Sequence, residues 1–112
     1  MNSPKFTIKK SIGNDYFFNL ISTNDEIILK SEMYTTKQNC INGIDSVKKN
    51  SKEDSNYIKL IAANSKYYFN LKSADNGQVI GTSNLYTYEF DRNNAVEDVK
   101  RDAPNAKTED LS

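Results

Sequence analysis

The sequence predicts an α+β fold in which two tandem β-β-β-α units share one antiparallel sheet of about six strands, with both helices on one face. Three observations carry this expectation. The chain matches itself, since Tyr16-Phe17-Phe18-Asn19-Leu20 recurs as Tyr67-Tyr68-Phe69-Asn70-Leu71 at an offset of 51. Ile28, Ser31, Tyr34, Thr35, Asn42, Val47 and Lys48 then recur as Ile80, Ser83, Tyr86, Thr87, Asn94, Val99 and Lys100 at an offset of 52. The extra residue falls in a turn, where Asn24-Asp25-Glu26 becomes Asp75-Asn76-Gly77-Gln78. Finally, each copy begins with apolar residues at a period of two and ends with a segment whose apolar residues follow a helical period.

In the first copy, residues 5–10 alternate Phe6 and Ile8 with polar residues and end at a Gly13-Asn14-Asp15 turn. Residues 16–22 place Tyr16, Phe18 and Leu20 on one face and Phe17, Asn19 and Ile21 on the other. Residues 26–30 form a short strand with Ile27, Ile28 and Leu29. A helix follows, with Thr35 as the expected cap, Gln38 reaching back, and Cys40, Ile44 and Val47 as its apolar stripe. Gly43 lies inside that helix, where close packing against the sheet explains a residue that weakens helices. The second copy has strands near residues 57–62, 66–73 and 78–82, with Asn76-Gly77 as a hairpin signal. Its helix has Thr87 as the expected cap, Phe90, Val96 and Val99 as a thinner stripe, and Ala95 in place of Gly43.

The expected division is a single domain, with repeat 1 over residues 5–50, repeat 2 over residues 57–102 and a loosely held tail over residues 103–112 after Pro104 ends the helix. Residues 50–56 contain no apolar side chain and read as the connection. One unit of about fifty residues buries too little to be stable. Two units joined edge to edge share a core and dispose of two exposed edges. A monomer with an internal pseudo-two-fold axis is therefore expected.

Composition limits the chemistry. The 112 residues carry 15 Lys+Arg against 15 Asp+Glu, one Cys, no Trp and no His, and Phe, Leu, Ile and Val supply 25 of them, enough for a folded core. Without His, a Ser-His-Asp or Cys-His pair and a His-ligated zinc are excluded. Cys40 reads as a buried structural residue, and no disulfide can form within the chain. No segment resembles a signal peptide or a membrane span, so a cytoplasmic protein that does not contact membranes is expected. The four glycines form no phosphate-cradling pattern, and no spacing suits a metal or an organic cofactor, so no cofactor is expected.

Several motifs carry a resemblance. Leu29-Lys30-Ser31-Glu32-Met33-Tyr34-Thr35-Thr36-Lys37 and Asn42-Gly43-Ile44-Asp45-Ser46-Val47-Lys48-Lys49-Asn50 are similar to the signature of the YegP family of small bacterial proteins. Thr82-Ser83-Asn84-Leu85-Tyr86-Thr87 repeats it, and Val99-Lys100-Arg101-Asp102-Ala103-Pro104-Asn105-Ala106 resembles the family's ending. The resemblance covers nearly the whole chain and implies tandem β-β-β-α units, monomeric when two copies share one chain. It implies no chemical activity. The second copy departs from the signature, with Asn84 for Glu32, Tyr88 and Glu89 for Thr36 and Lys37, and Ala95 for Gly43.

Ser31, Glu32 and Tyr34, with Ser83 and Tyr86, stand where strand three passes into the helix, a position from which side chains can bind a ligand. The competing role for them is structural, with hydroxyls satisfying backbone N–H groups and tyrosines packing over the junction. Scattered acids such as Glu26, Glu32 and Asp45 show no spacing that pairs two carboxylates in a cleft. The expected function is therefore non-catalytic, a binding module for a protein or small-molecule partner, with Phe17 and Tyr68 as anchors pointing away from the helices. The alternative is nucleic-acid binding through the aromatic strands and a basic patch at Lys9, Lys10, Lys48 and Lys49. Charge makes nucleic acid the lesser expectation, since residues 57–102 balance 6 bases with 6 acids and only 2 of the 15 bases are Arg. The strand order also differs from that of an RRM.

Overall fold

The computed structural model describes residues 3–112. β1 (Lys5–Lys10), β2 (Tyr16–Ile21) and β3 (Ile27–Lys30) precede α1 (Lys37–Asn50); β4 (Tyr57–Ile61), β5 (Tyr67–Lys72) and β6 (Val79–Thr82) precede α2 (Glu89–Asp102). A further strand, β7 (Lys107–Asp110), completes one sheet of order β4-β5-β6-β3-β2-β1-β7. Among the described residues, no helix is long and apolar enough to cross a membrane.

The architecture is α+β, and the sheet is mixed with seven strands instead of antiparallel with about six. The difference is β7, which pairs parallel to β1 from Lys5↔Lys107 to Ile8↔Asp110. Residues 103–112, expected as a tail, instead form a 3-10 turn (Ala103–Asn105) and this strand. An outer strand needs no apolar side chain when its backbone is paired. Lys107-Thr108-Glu109-Asp110 is held by the ladder, by the Leu111 amide donating to the Ile8 carbonyl at 2.8 Å, and by ion pairs Lys5–Glu109 at 3.4 Å and Lys37–Asp110 at 2.8 Å.

The two repeats meet at β3 and β6, where Lys30 pairs with Thr82. Alternation turns Phe6, Phe18, Leu20, Phe69 and Leu71 toward the helices, where they join Cys40, Ile44 and Val47 of α1 and Ala95, Val96 and Val99 of α2, all at most 4 % exposed. Each large side chain among these contributes about 1.5–3 kcal/mol by leaving water. The same edge-to-face contact recurs in both copies, with centroids 5.8 Å apart for Phe6–Phe18 and 5.6 Å for Tyr57–Phe69. A Cβ at Gly43 would collide with the Tyr34 ring and hydroxyl and stand 3.0 Å from Phe18, so the expected close packing is present.

Local chemistry shapes the turns. Asn14, Asp25, Ser65 and Gly77 take positive φ values of 68°, 63°, 67° and 72°, one in each hairpin. The loop from Ser22 to Glu26 closes with the Ser22 amide on the Glu26 carbonyl, and its counterpart closes from Ser73 to Gln78, one residue longer. The helix starts differ from expectation. Thr36, not Thr35, caps α1 by accepting from the Asn39 amide at 3.1 Å, and Gln38 turns to Asn42. In α2 the cap position is Tyr88 rather than Thr87, with no side-chain cap, and Glu89 and Asp91 place negative charge near the helix N-terminus.

The polar connection is partly interior. Asn50, Ser51 and Asn56 are at most 6 % exposed. The Asn50 Oδ1 accepts from the Ala74 amide at 2.9 Å, the Asn56 Nδ2 donates to the Asn50 carbonyl at 2.9 Å, and the Tyr57 hydroxyl donates to the Ser51 carbonyl at 2.6 Å. These bonds tie the end of α1 to the β5–β6 turn and satisfy buried polar groups that would otherwise destabilise the fold.

Candidate binding surface

The junction residues use their polar groups internally. The Ser31 Oγ accepts from the Phe18 amide at 2.8 Å and donates to the Glu32 carbonyl at 2.8 Å. The Ser83 Oγ does the same with the Phe69 amide at 3.0 Å and the Asn84 carbonyl at 2.9 Å. Each serine thereby takes over a ladder bond where its strand leaves the sheet. Tyr34 bridges backbone to backbone with Tyr16, and Tyr86 with Tyr67. The Tyr34 ring stacks on Phe18 with centroids 6.2 Å apart. Burial, then the neighbouring Cys40 and Glu32, raise the Tyr34 hydroxyl above its ordinary pKa; burial, then Glu26 and other acids, raise that of Tyr86. Glu32 is exposed beside the first junction. Ser31, Glu32 and Tyr34 thus gather at one junction and Ser83 and Tyr86 at the other.

Cys40 is fully buried, and burial pushes its thiol up to about 11, so it is protonated at neutral pH and a poor nucleophile. The equivalent position in α2 is Arg92, 4 % exposed, whose guanidinium donates to the Leu60 and Tyr68 carbonyls at 3.3 Å each and lies 5.4 Å from the Tyr67 ring centroid. Sequence reasoning missed this anchor. Its signal was the one arginine on the inner stripe of α2.

The helix-free face carries the more open arrangement. Register places Glu109, Thr7, Asn19, Lys30, Thr82, Asn70 and Ile58 in one line across all seven strands. Phe17 and Tyr68 lie on this face, half-buried, on opposite sides of the line, so the structure does not bring them together. Repeat 2 satisfies its part of the line internally, the Thr82 hydroxyl donating to Asn70 Oδ1 at 2.9 Å. Repeat 1 does not. Among the described residues, the buried Thr7 hydroxyl has no hydrogen-bond partner, and Asn19 beside it is 6 % exposed. Asn19 and Asn70 recur in the sequence as polar residues at strand centres, the signal from which this line was legible. Replacing Thr7 with valine is expected to stabilise the protein by about 1 kcal/mol, because an unpartnered buried hydroxyl is replaced by a methyl of similar shape. Urea unfolding checks this, and a loss of stability would mean that the hydroxyl has a partner.

Charge is distributed unevenly. The strand positions on the helix-free face include Lys5, Lys9, Lys30, Lys72 and Lys107 against Glu109, whereas on the other side α2 carries Glu89, Asp91, Glu97, Asp98 and Asp102 against Arg92, Lys100 and Arg101, and α1 carries Lys37, Lys48 and Lys49 against Asp45. A groove of about 630 Å³ lies beyond β7, lined by Pro4, Lys5, Arg101, Asp102, Asn105 and Lys107 among others. Arg101 is paired within its wall with Asp102 at 2.9 Å, and Lys5 with Glu109 at 3.4 Å.

Comparison with known proteins agrees with this architecture. The family model described as a domain of unknown function, DUF1508, matches residues 13–57 and 62–110. A UPF0339 protein of Acinetobacter baylyi is 46% identical over 107 residues, 96% of each chain. The UPF0339 protein YegP of Escherichia coli is 40% identical over 105 residues, 94% of each chain. The solution NMR structure of a UPF0339 protein from Shewanella oneidensis superposes with a TM-score of 0.91 at 39% identity, covering 98% of this chain and 92% of the other. That of E. coli YegP, a protein of unknown function, gives 0.91 at 37% identity, covering 99% and 95%. With two matched segments, relatives at this identity across nearly the whole chain and the same fold, this chain belongs to the DUF1508 family of UPF0339 proteins, which includes YegP.

Proposed function

We propose that the protein is a non-catalytic binding module whose helix-free sheet face takes an acidic protein surface. The observation that carries this reading is the polar line Thr7–Asn19–Lys30 in repeat 1, whose Thr7 hydroxyl has no partner among the described residues, set among lysines and walled by Phe17 and Ile21. A hydroxyl, an amide and an ammonium group offer hydrogen bonds to carboxylates, and aromatic and aliphatic neighbours provide the apolar contact that binding surfaces need. Glu109, the acid at the strand positions of this face, is held in an ion pair with Lys5 at 3.4 Å, so it is not poised for proton transfer. A location in the cytoplasm and a monomeric state accord with this reading.

A second reading is supported by one observation. Phe17 and Tyr68 share a face with five lysines, the combination that lets single-stranded nucleic acid stack its bases while the backbone is neutralised. Titration with polyglutamate and with a single-stranded oligonucleotide, at several salt concentrations, separates the two. Binding of polyglutamate that weakens in Lys30→Ala supports the first reading. Oligonucleotide binding that falls with salt and weakens in Phe17→Ala supports the second. Binding of neither probe at millimolar concentration overturns both.

A further inference from the structure

The two outer edges of the sheet are equivalent by the internal repeat, yet they are treated differently. β1 and β4 correspond at an offset of 51, with Phe6 matching Tyr57 opposite Leu20 and Leu71. β1 is covered by β7. β4 is the opposite end of the strand order and, among the described residues, bears no strand on its outer side. The Ala62 amide bonds the Lys66 carbonyl at 2.8 Å, so alternation along an antiparallel pair turns the N–H and C=O groups of Lys59 and Ile61 outward, with the Tyr57 carbonyl, while the Tyr57 amide is taken by the Asp54 carbonyl.

Side chains around this edge keep little of the charge that usually protects one, Lys59 alone among the five residues of β4. Isolated edges are blunted by charge, lysine above all. Here Thr7, Lys9 and Lys10 of β1 are replaced in β4 by Ile58, Leu60 and Ile61, while Thr36 and Gln38 of α1 become Tyr88 and Phe90 at the start of α2. Ile61, Tyr88 and Phe90 are 64%, 68% and 73% exposed. Apolar substitution at the uncovered copy of an edge fits a surface that is covered by something else.

We propose that the β4 edge accepts an extended segment of a partner protein as an eighth strand, parallel to β4, with apolar residues alternating with an acidic one. β7 provides the geometric precedent. Its Glu109 pairs with Thr7 and its Asp110 with Ile8, the counterparts of Ile58 and Lys59. A strand in the same register therefore places one side chain against Ile58, the next against Lys59 and the one after against Leu60. Lys59 is exposed and, among the described residues, in no ion pair, whereas Asp54, the acid that feels its charge, is already bound to Lys100 at 2.6 Å. The residue facing Lys59 is thus acidic and its neighbours are apolar. This is strand addition, in which the backbone supplies affinity and alternate side chains supply selectivity. It is independent of the helix-free face.

The test is NMR titration of the whole protein with a capped octapeptide alternating valine and glutamate, beside one alternating valine and lysine. The expected result is movement and slowed exchange of the Lys59 and Ile61 amides with the glutamate peptide, and affinity about fivefold weaker in Lys59→Glu, which in turn favours the lysine peptide. Three results would overturn the proposal: β4 amides that do not respond, equal affinity for both peptides, or β4 amides protected by concentration-dependent pairing with a second copy of the chain.

Discussion

Gly81→Leu is expected to lower stability by about 3 kcal/mol or more, and exchanging the pair, Leu29→Gly with Gly81→Leu, to restore most of the loss. Leu29 and Gly81 occupy the same place in the two repeats, 52 residues apart, where β3 and β6 meet. A Cβ at Gly81 would stand 2.6 Å from Leu29 Cδ2 and 2.7 Å from its Cγ, and Leu29 is fully buried. The pseudo-two-fold axis passes between them, so space exists for one leucine and not for two. Leu29→Gly alone should cost about 3–5 kcal/mol, from the cavity left by a buried side chain and the added freedom of glycine in a strand. Urea unfolding of both single variants and of the double variant gives the coupling energy directly. A double variant no more stable than the sum of its parts predicts would mean that the two positions do not share one space.

The second large effect is expected on deleting residues 106–112, which should leave a folded protein about 2–4 kcal/mol less stable. Ala106 is buried, and β7 covers the outer side of Phe6 and Ile8, which are 0% and 2% exposed. The fold should survive because β4 occupies the equivalent place in repeat 2 with no strand outside it among the described residues. Unfolding of the truncated chain checks the magnitude, and unchanged stability would show that β7 merely rests on β1. Asp110 tethers the strand electrostatically. Bonds from Lys37 and Ser112 hold its carboxyl far below the usual carboxylate range, and the pairing raises Lys37. Because the folded value is depressed, the tether is complete above the ordinary value of 3.8 and is lost as pH falls through the folded value. Hydrogen exchange of the Leu111 amide, bonded to the Ile8 carbonyl, should accelerate in Asp110→Asn at neutral pH. Protection equal to that of the parent chain would remove the tether from the account.

Much of the fold was legible because repetition amplifies weak local signals. Tyr16 to Leu20 alone could be any buried segment, but its recurrence from Tyr67, with the spare residue placed in a turn, sets strand order and pairing together. The loops closing at Glu26 and Gln78 keep that difference of one residue. Thr35 was misleading because the adjacent Thr36 competes for the cap, and Thr87 because backbone direction at the junction puts the cap position at Tyr88, whose side chain makes no cap bond. The candidate site was less legible. Ser31 and Ser83 stand out in the motif, and only their distances to the Phe18 and Phe69 amides reveal that both hydroxyls serve the ladder.

The sequence by itself determined the two repeats, their strands and helices, the inner aromatic faces and the absence of imidazole chemistry, because period, turn formers and composition are local properties of the chain. Tertiary structure decided the rest. Lys107-Thr108-Glu109-Asp110 becomes a strand because β1 offers it an unpaired backbone. Thr7, Asn19 and Lys30 become one line because antiparallel register brings residues distant in sequence side by side. Five of the thirteen lysines come to the strand positions of the helix-free face, against the single acid Glu109, although the chain carries no net charge, since alternation along strands sorts side chains by face while composition counts them all together.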